Sequence, residues 1–284
     1  MRDGKKITTI PIGQTDRNGL INMMVGHEMT ETFPQRTGHS DEIVLEAKNI
    51  SGKGVNDISF SLHRGEILGF AGLVGAGRSE LMHMIYGAMH KSSGKVVIEG
   101  KETKIKNPHD AISRGLGMIP EDRKLQGLVL IRSVRENIAM CRTYRKRTGK
   151  FGMIDRRREN ADAAEMIQEL AIKTAGTEQK VRYLSGGNQQ KVVIAKELLP
   201  QPKILMLDEP TRGIDVGAKA TIYQLISKLK KSGMGVLFFT SDMSEIPVVC
   251  DRVIVLSDGE ISGRIEGRDV TIGKILQYAA GGKE

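Results

Sequence analysis

Short apolar runs separated by helical patterns dominate the chain from residue 43 onward. Residues 204–207 and 236–239 are apolar at every position, which is typical of parallel strands buried on both faces. Residues 67–71 and 251–256 are further runs of the same kind. Strands of this type alternating with helices predict an α/β fold with a parallel sheet.

A second group of strands has a different pattern and flanks the apolar run at residues 67–71. Residues 55–62 alternate between apolar and polar side chains, and residues 43–47 and 93–100 are also strand-like. Alternation indicates a sheet with one face on the core and one face in solvent.

The stretch from about 130 to 183 has a predominantly helical pattern. Residues 161–170 place Ala164, Met166, Ile167 and Leu170 on one face of a helix. We interpret this stretch as an α-helical subdomain inserted into the α/β core.

The first 40 residues do not have the pattern of a domain start. Residues 20–26 have the pattern of a short amphipathic helix that ends on Gly26, and a similar arrangement recurs near the far end at residues 275–281. Our hypothesis is that residues 1–40 are the tail of a preceding, similar unit followed by a linker, and that residues 41–284 form a nucleotide-binding domain.

Composition and charge narrow the class of protein only slightly. The formal net charge is +9, with basic clusters at 142–150 and 156–158, but aromatic residues make up only 4% and no nucleic-acid-binding signature is present. A solvated basic face is the favoured interpretation, and we expect no nucleic-acid partner. The apolar runs fall short of the roughly 18 residues of a membrane-spanning helix. Two cysteines without ligand spacing favour free thiols and action in the cytoplasm.

A glycine-rich turn between a predicted strand and a predicted helix carries the first chemical signal. Residues 72–79 follow the apolar run 67–71 and match G-x-x-x-x-G-K-[ST] except at Arg78, which replaces lysine. Glycines allow backbone N–H groups to curl around an anion, and the helix that follows presents the positive end of its dipole. This segment, called the phosphate loop below, predicts a nucleotide site.

An acidic pair directly after an apolar run is the second signal. Asp208 and Glu209 follow residues 204–207. At the end of a strand beside bound phosphates, Asp208 could hold Mg²⁺ together with the hydroxyl of Ser79. Glu209 suits a general base that orients and deprotonates an attacking water.

A second anion-binding turn lies between these motifs. Ser185, Gly186 and Gly187 precede a helical pattern at 192–195, so they would stand at a helix N-terminus. A second such site in one domain is reasonable if it serves a different nucleotide from the first.

These residues resemble a known family. Residues 184–191, Leu-Ser-Gly-Gly-Asn-Gln-Gln-Lys, are similar to the signature motif of ATP-binding cassette (ABC) proteins. Together with residues 208–219 and 120–124, they resemble the second, C-terminal cassette of the tandem-cassette importer ATPases for ribose-, xylose- and galactose-type sugars. The resemblance covers nearly the whole chain. It implies a P-loop NTPase ABC cassette with a RecA-like parallel core, an antiparallel β subdomain and a helical subdomain.

The resemblance also implies partners and cofactors. ATP and Mg²⁺ would bind between two cassettes arranged head to tail, with the signature of this chain contacting the nucleotide held by a first cassette. Asp215 matches the loop that crosses such an interface. Hydrolysis would drive an integral membrane permease that receives a sugar from a separate binding protein, which places the chain peripherally on the cytoplasmic face of the membrane.

The functional residues carried over from the family fall into three groups. Catalytic roles are expected at Glu209 and Ser241, and metal contacts at Ser79, Glu121 and Asp208. Nucleotide contacts are expected at Gly72, Gly75, Ala76, Gly77, Arg78, Ser79, Glu80, Glu121, Ser185, Gly186, Gly187, Gln189 and Asp215.

Three departures from the family pattern fall in this chain's own ATP site. Arg78 replaces the phosphate-loop lysine, Glu121 stands where a glutamine is usual, and Ser241 takes the place of the switch histidine. They leave open a non-hydrolysing regulatory cassette as an alternative to an ATPase. A soluble cassette acting on nucleic acid or ribosomes is a further rival, disfavoured as a DNA-repair cassette by the short gap from Glu121 to Leu184. The six histidines show no ligand spacing, so surface or packing roles are expected for them.

Overall fold

A computed structural model of the chain describes residues 8–14, 38–145 and 154–282. The helix predicted at 20–26 lies outside these ranges, so the tail hypothesis for residues 1–40 stays a prediction. No helix in the described ranges is long and apolar enough to cross a bilayer.

The described residues form ten strands and eight α-helices. The strands are β1 Ile43–Gly52, β2 Val55–His63, β3 Ile67–Gly72, β4 Lys91–Ile98, β5 Lys101–Thr103, β6 Leu116–Ile119, β7 Ile204–Asp208, β8 Gly235–Phe239, β9 Arg252–Ser257 and β10 Glu260–Glu266. The helices are α1 Arg78–Tyr86, α2 Pro108–Ser113, α3 Val134–Arg145, α4 Arg156–Glu169, α5 Gly186–Leu198, α6 Val216–Lys231, α7 Ile246–Val249 and α8 Ile272–Ala279.

A six-stranded sheet in the order β10-β9-β3-β8-β7-β6 forms the core. Strands β9, β3, β8, β7 and β6 are parallel to one another, and β10 closes one edge antiparallel to β9. Every residue of β3, β7 and β8 is buried, as their continuous apolar sequences predict. The predicted α/β fold with a parallel sheet is confirmed. Strands β6 and β10 were not predicted, because β6 has only four residues including Gly117, and β10 is an edge strand with exposed polar positions.

The second sheet is four-stranded and antiparallel, in the order β2-β1-β4-β5. This confirms the expected β subdomain. Strand β1 runs five residues beyond its predicted end, through a register shift next to Asn49, whose φ is +52°. Asparagine tolerates this left-handed conformation, so the strand continues past a position where its pattern breaks.

Helices α3 and α4 occupy the segment predicted to be helical, with a short 3₁₀ turn at Val181–Tyr183 before α5. On α4 the buried residues are Ala163 and Met166, whereas Ala164 is exposed, so the predicted apolar face is wrong by one residue at that position. The packing of α4 on α3 and α5 determines which face is inward, and periodicity alone could not separate the two adjacent alanines.

The order of the parallel strands brings three chain segments to one edge of the sheet. Strand β8 lies between β3 and β7, and the three strands end at Gly72, Phe239 and Asp208. Ligands of open α/β sheets bind outside the carboxyl ends of such strands. The phosphate loop, the acidic pair and residues 240–242 therefore meet at this edge.

Candidate functional site

The phosphate loop leads from β3 into the N-terminus of α1. Gly77 caps the helix with φ +92°, and a Cβ there would stand 2.3 Å from the carbonyl oxygen of Gly54. The loop is also held by the turn between β9 and β10, since the N–H of Gly259 donates to the carbonyl of Ala76 at 3.3 Å. A glycine is thus required at 77 both for conformation and for space, and the helix N-terminus is left open to receive an anion.

Arg78 and Glu209 face each other across this edge of the sheet. Arg78 Nη1 lies 3.5 Å from Glu209 Oε1, and both side chains are only about one-tenth exposed, at 11% and 12%. The backbone N–H of Ser241 donates to the same carboxylate oxygen at 2.5 Å. Glu209 has φ +45°, an unfavourable conformation for a residue with a side chain. The predicted general base is therefore held from both sides by residues of its own chain.

Asp208 lies behind Glu209 at the end of β7 and is buried, with 3% of its surface exposed. Burial raises the pKa of Asp208 to about 6, while a hydrogen bond from Ser79 opposes the rise. A carboxylate buried away from water favours its charged form poorly. The predicted pair of metal ligands, Ser79 and Asp208, is brought together by the fold.

A buried carboxylate that the sequence did not indicate connects these segments to helix α6. Glu245 accepts hydrogen bonds from Tyr223 at 2.7 Å, from Lys219 at 2.9 Å and from Thr240 at 2.9 Å, and also from Thr211. The network ties residues just after β7 and β8 to one helix. Its members lie far apart in sequence and carry no motif of their own, which is why pattern analysis missed them.

The signature residues form a second surface, built by other elements. Ser185 is exposed and caps α5, with its hydroxyl accepting from the N–H and the side-chain amide of Asn188. A Cβ on Gly187 would stand 3.0 Å from the Cβ of Ala218 on α6. The N-terminus of this 13-residue helix thus presents Ser185 to solvent with α6 packed close behind it. We call residues 185–187 the signature turn.

Residues 212–215 form the loop between β7 and α6 that lies next to the signature turn. Asp215 ends this loop and caps α6, since its carboxylate accepts from the N–H of Ala218 at 2.9 Å. Arg212 forms an ion pair with the predicted metal ligand Glu121. Glu121 is thereby directed at the 212–215 loop through an arginine of the same chain.

Gln189 is placed differently from the other signature residues. Its side chain is 4% exposed, and its Nε2 donates to the carbonyl of Val181 at 3.2 Å. This buries Gln189 behind the signature turn rather than on its exposed face. The remaining predicted nucleotide-binding positions lie in or directly after the phosphate loop, where Gly75 is exposed, Glu80 is partly buried, and Gly72 and Ala76 are buried.

Arg123 is a further residue at this surface to which sequence reasoning gave no role. Its guanidinium donates from Nη1 to the carbonyl of Arg212 at 2.9 Å and from Nη2 to the carbonyl of Gly213 at 3.1 Å. The available signal was its place in the motif at 120–124, which pointed to the family but not to a contact 89 residues away.

Two histidines lie close together although their spacing in sequence shows no ligand pattern. Atoms of His39, His63 and Glu66 that could bind a metal lie within 4.8 Å of one another. The Glu66 carboxylate already accepts from Arg252 at 2.6 Å and from the ring of His63 at 2.9 Å. Burial alone would raise the pKa of Glu66, but these hydrogen bonds outweigh it and lower the pKa. The guanidinium beside Glu66 disfavours a second cation there, so a packing role remains the better interpretation.

The donor set at the edge of the sheet fits Mg²⁺ and a nucleoside triphosphate. Ser79 and Asp208 offer hard oxygen ligands, and a cation beside them would favour the charged form of a carboxyl whose pKa is raised by burial. The open N-terminus of α1 fits the phosphates.

Comparison with protein families identifies a match over the central part of the chain. Residues 55–212 match the family described as "ABC transporter". This segment contains the phosphate loop, the signature turn and the acidic pair.

Relatives with a described role match over the full chain. The ribose import ATP-binding protein RbsA of Bacillus subtilis (strain 168) is 46% identical over 284 residues, which is 100% of this chain and 57% of that protein. The protein of the same name from Caldanaerobacter subterraneus subsp. tengcongensis is 43% identical with the same coverage. The chain therefore spans little more than half the length of these relatives.

Solved structures show a similar fold. A nucleotide-free ATP-binding cassette from an ABC transporter has a TM-score of 0.70 at 22% identity, covering 83% of this chain and 95% of that one. A dimeric ATP-binding cassette in a post-hydrolysis state, bound to ADP and Pi, has a TM-score of 0.67 at 23% identity, covering 78% and 98%. At this level of identity the likeness shows the cassette fold, which agrees with the two sheets and the helical segment described above.

Proposed function

The chain belongs to the ABC transporter family, and we propose that it is the second of two cassettes in an ATPase that energises import of a monosaccharide. Relatives 43–46% identical to it are named for ribose import, which supports a sugar of this class. The permease, the sugar-binding protein and the peripheral position on the cytoplasmic face of the membrane belong to this proposal.

Within that assembly we propose that the main role of the chain is to contribute its signature turn to a nucleotide on the first cassette. Ser185 and the N-terminus of α5 would bind the γ-phosphate, and Asp215 would lie at the interface beside them. The proposal is supported by the separation of the two anion-binding surfaces, since the phosphate loop packs on Gly54 and Gly259 while the signature turn packs on α6.

The single observation that carries this division of labour is the contact of Arg78 with Glu209. A general base must be free to accept a proton from water, and here its Oε1 already faces a guanidinium at 3.5 Å and an N–H at 2.5 Å. In the chain's own site this oxygen would then be less accessible to an attacking water, and the site would hold its nucleotide with slow turnover or none. Bound ATP would supply the phosphoryl group, and Mg²⁺ would supply the positive charge that neutralises the phosphates.

Phosphate release by the chain mixed with a first cassette tests the proposal. Ser185→Arg should abolish hydrolysis, because the added cation fills the surface that receives the partner's nucleotide. Glu209→Gln should leave most of the rate, because hydrolysis belongs to the partner's site. If Ser185→Arg leaves the rate intact and Glu209→Gln abolishes it, the chain hydrolyses its own nucleotide and the division of labour is wrong.

The alternative is a regulatory cassette that binds nucleotide without hydrolysing it. The same Arg78–Glu209 contact favours it. It predicts that the wild-type mixture releases no phosphate although the chain binds nucleotide, which equilibrium binding of a fluorescent ATP analogue would show.

A further inference from the structure

A one-turn π-helix that follows strand β6 of the parallel core packs against helix α5. It covers Arg123–Gly127, shortly after β6 ends at Ile119. Asp122 caps it by accepting from the N–H groups of Lys124 and Leu125 at 2.8 and 3.1 Å. Turns of this kind are rare and are concentrated at functional positions. The question is what this turn holds in place.

The C-terminal end of the π-helix is attached to the C-terminal half of α5. Lys196 Nζ donates to the carbonyl of Gly127 at 2.8 Å, and a Cβ on Gly127 would stand 3.0 Å from Val193. Lys196 is buried, so this hydrogen bond is shielded from water. The turn therefore lies against the helix that begins at the signature turn.

The N-terminal end is attached to the start of α5 and to the 212–215 loop at once. A Cβ on Gly186 would stand 2.8 Å from Arg123 Nη2, so the guanidinium lies directly against the signature turn. The same group donates to the carbonyls of Arg212 and Gly213 at 2.9 and 3.1 Å. A planar guanidinium presents its donors in a rigid fork, so it holds two acceptors at a defined spacing, which an ammonium does not.

The charge of Arg123 is not explained by an ion pair among the residues that the structure describes. Its Nε is buried without a hydrogen-bond partner there, and no carboxylate of the described ranges lies within 4.0 Å of the guanidinium. The group stands beside the N-terminus of α5, which is itself the positive end of a helix dipole. Two positive groups kept together in this way are favourable when a negative ligand faces them.

We propose that Arg123 is a positioning residue that sets the spacing between the signature turn and the 212–215 loop, so that both engage one nucleotide on the partner cassette. The inference rests on the proposed function for the identity of that nucleotide. The geometric part, that one guanidinium determines the order of both segments, can be tested on this chain alone.

Hydrogen exchange of the isolated chain tests the geometric part. Arg123→Ala removes both charge-assisted hydrogen bonds, and we expect backbone amides in residues 212–219 and 185–189 to exchange at least about tenfold faster. Arg123→Lys keeps the charge and should still speed exchange at 212–219, because one ammonium cannot replace the fork. Millimolar guanidinium ion should slow exchange again in Arg123→Ala and have no effect on the wild type.

The matched control is Lys124→Ala, which removes the neighbouring exposed cation and should leave exchange in both segments unchanged. Unchanged exchange in 212–219 for Arg123→Lys and Arg123→Ala overturns the proposal. If Arg123→Ala also speeds exchange in β3 and β8, the substitution has destabilised the whole fold. Exchange in Arg123→Lys, measured without added guanidinium, then distinguishes local loosening at 212–219 from global destabilisation.

The functional part is tested in the assembled pair of cassettes. Arg123→Lys should lower kcat for phosphate release by about tenfold or more, whereas the affinity of the chain's own phosphate loop for a fluorescent ATP analogue should not change. A parallel loss of both would indicate a structural defect and contradict a positioning role. If the wild-type pair releases no phosphate, the proposed function fails while the exchange experiment still decides whether Arg123 positions the two segments.

Discussion

Asp208 offers the most direct test of the site at the edge of the sheet. Burial raises the pKa of Asp208 from its ordinary value of 3.8 to about 6. The folded protein therefore keeps a proton on this carboxyl at pH values where the unfolded chain has already lost it, and the free energy of unfolding falls as the pH rises from about 4 to about 6. Above about pH 6 the free energy of unfolding is lowered by the full cost of burying the charged Asp208 carboxylate. At about 1.4 kcal/mol for each pKa unit, the cost at neutral pH is about 3 kcal/mol in the absence of a cation.

Asp208→Asn removes the charge without changing the shape of the side chain, so it should stabilise the metal-free protein by up to about 3 kcal/mol at pH 7.5 and by little at pH 4. Urea unfolding in EDTA at the two pH values measures this directly. Mg²⁺ with nucleotide should narrow the gap, because a cation beside Ser79 favours the carboxylate of the wild type.

Asp242→Asn is the matched control with the opposite sign. Hydrogen bonds from Ser244 lower the pKa of Asp242, so the same substitution there should reduce stability at pH 7.5. A variant Asp208→Asn that is less stable than the wild type at pH 7.5, or that changes stability equally at both pH values, would refute the reasoning about burial.

Three further predictions follow from other contacts. Burial raises the pKa of Cys141 to about 12, so alkylation by iodoacetamide at pH 8 should be about a thousandfold slower than for an ordinary thiol. Peptide mass spectrometry measures the labelling, and a rate equal to that of a free thiol would contradict this. Lys196→Met leaves Glu197 buried without the cation that lies 3.3 Å from it, and should lower the free energy of unfolding in urea by about 3–5 kcal/mol. The double variant Lys196→Met/Glu197→Leu should recover most of this loss, and an additive loss would argue against the pair. Gly77→Ala should lower the free energy of unfolding by about 2 kcal/mol or more and weaken binding of an ATP analogue, because its Cβ would meet the Gly54 carbonyl in a strained conformation. Wild-type affinity would contradict the conformation described for the phosphate loop.

The proposed division between two sites has consequences for this chain's own nucleotide. Arg78 and Ser241 differ from the usual residues of the family, and the structure brings both to the same oxygen of Glu209. Arg78 acts on Glu209 through its guanidinium, whereas Ser241 contacts it through a backbone N–H that any residue at position 241 would supply. Glu121 acts elsewhere, through its ion pair with Arg212.

The local features of this protein could be predicted because each depends on neighbouring residues. Strands β3, β7 and β8 show themselves as unbroken apolar runs, since a strand buried on both faces has no solvent-facing position. The phosphate loop and the signature turn are short combinations of glycine and hydroxyl residues before a helix, and their chemistry depends on backbone geometry within a few residues. Edge elements such as β6 lacked a signal of that length.

The contacts between distant segments were decided only by the tertiary structure. Arg78 meets Glu209 across 131 residues, and Arg123 meets Gly213 across 90. The sequence by itself determined which side chains could bind phosphate, hold a metal or accept a proton. Only the order of strands in the sheet and the packing of the π-helix on α5 decided which of them share a partner, because hydrogen bonding and burial depend on distance in space and not on position along the chain.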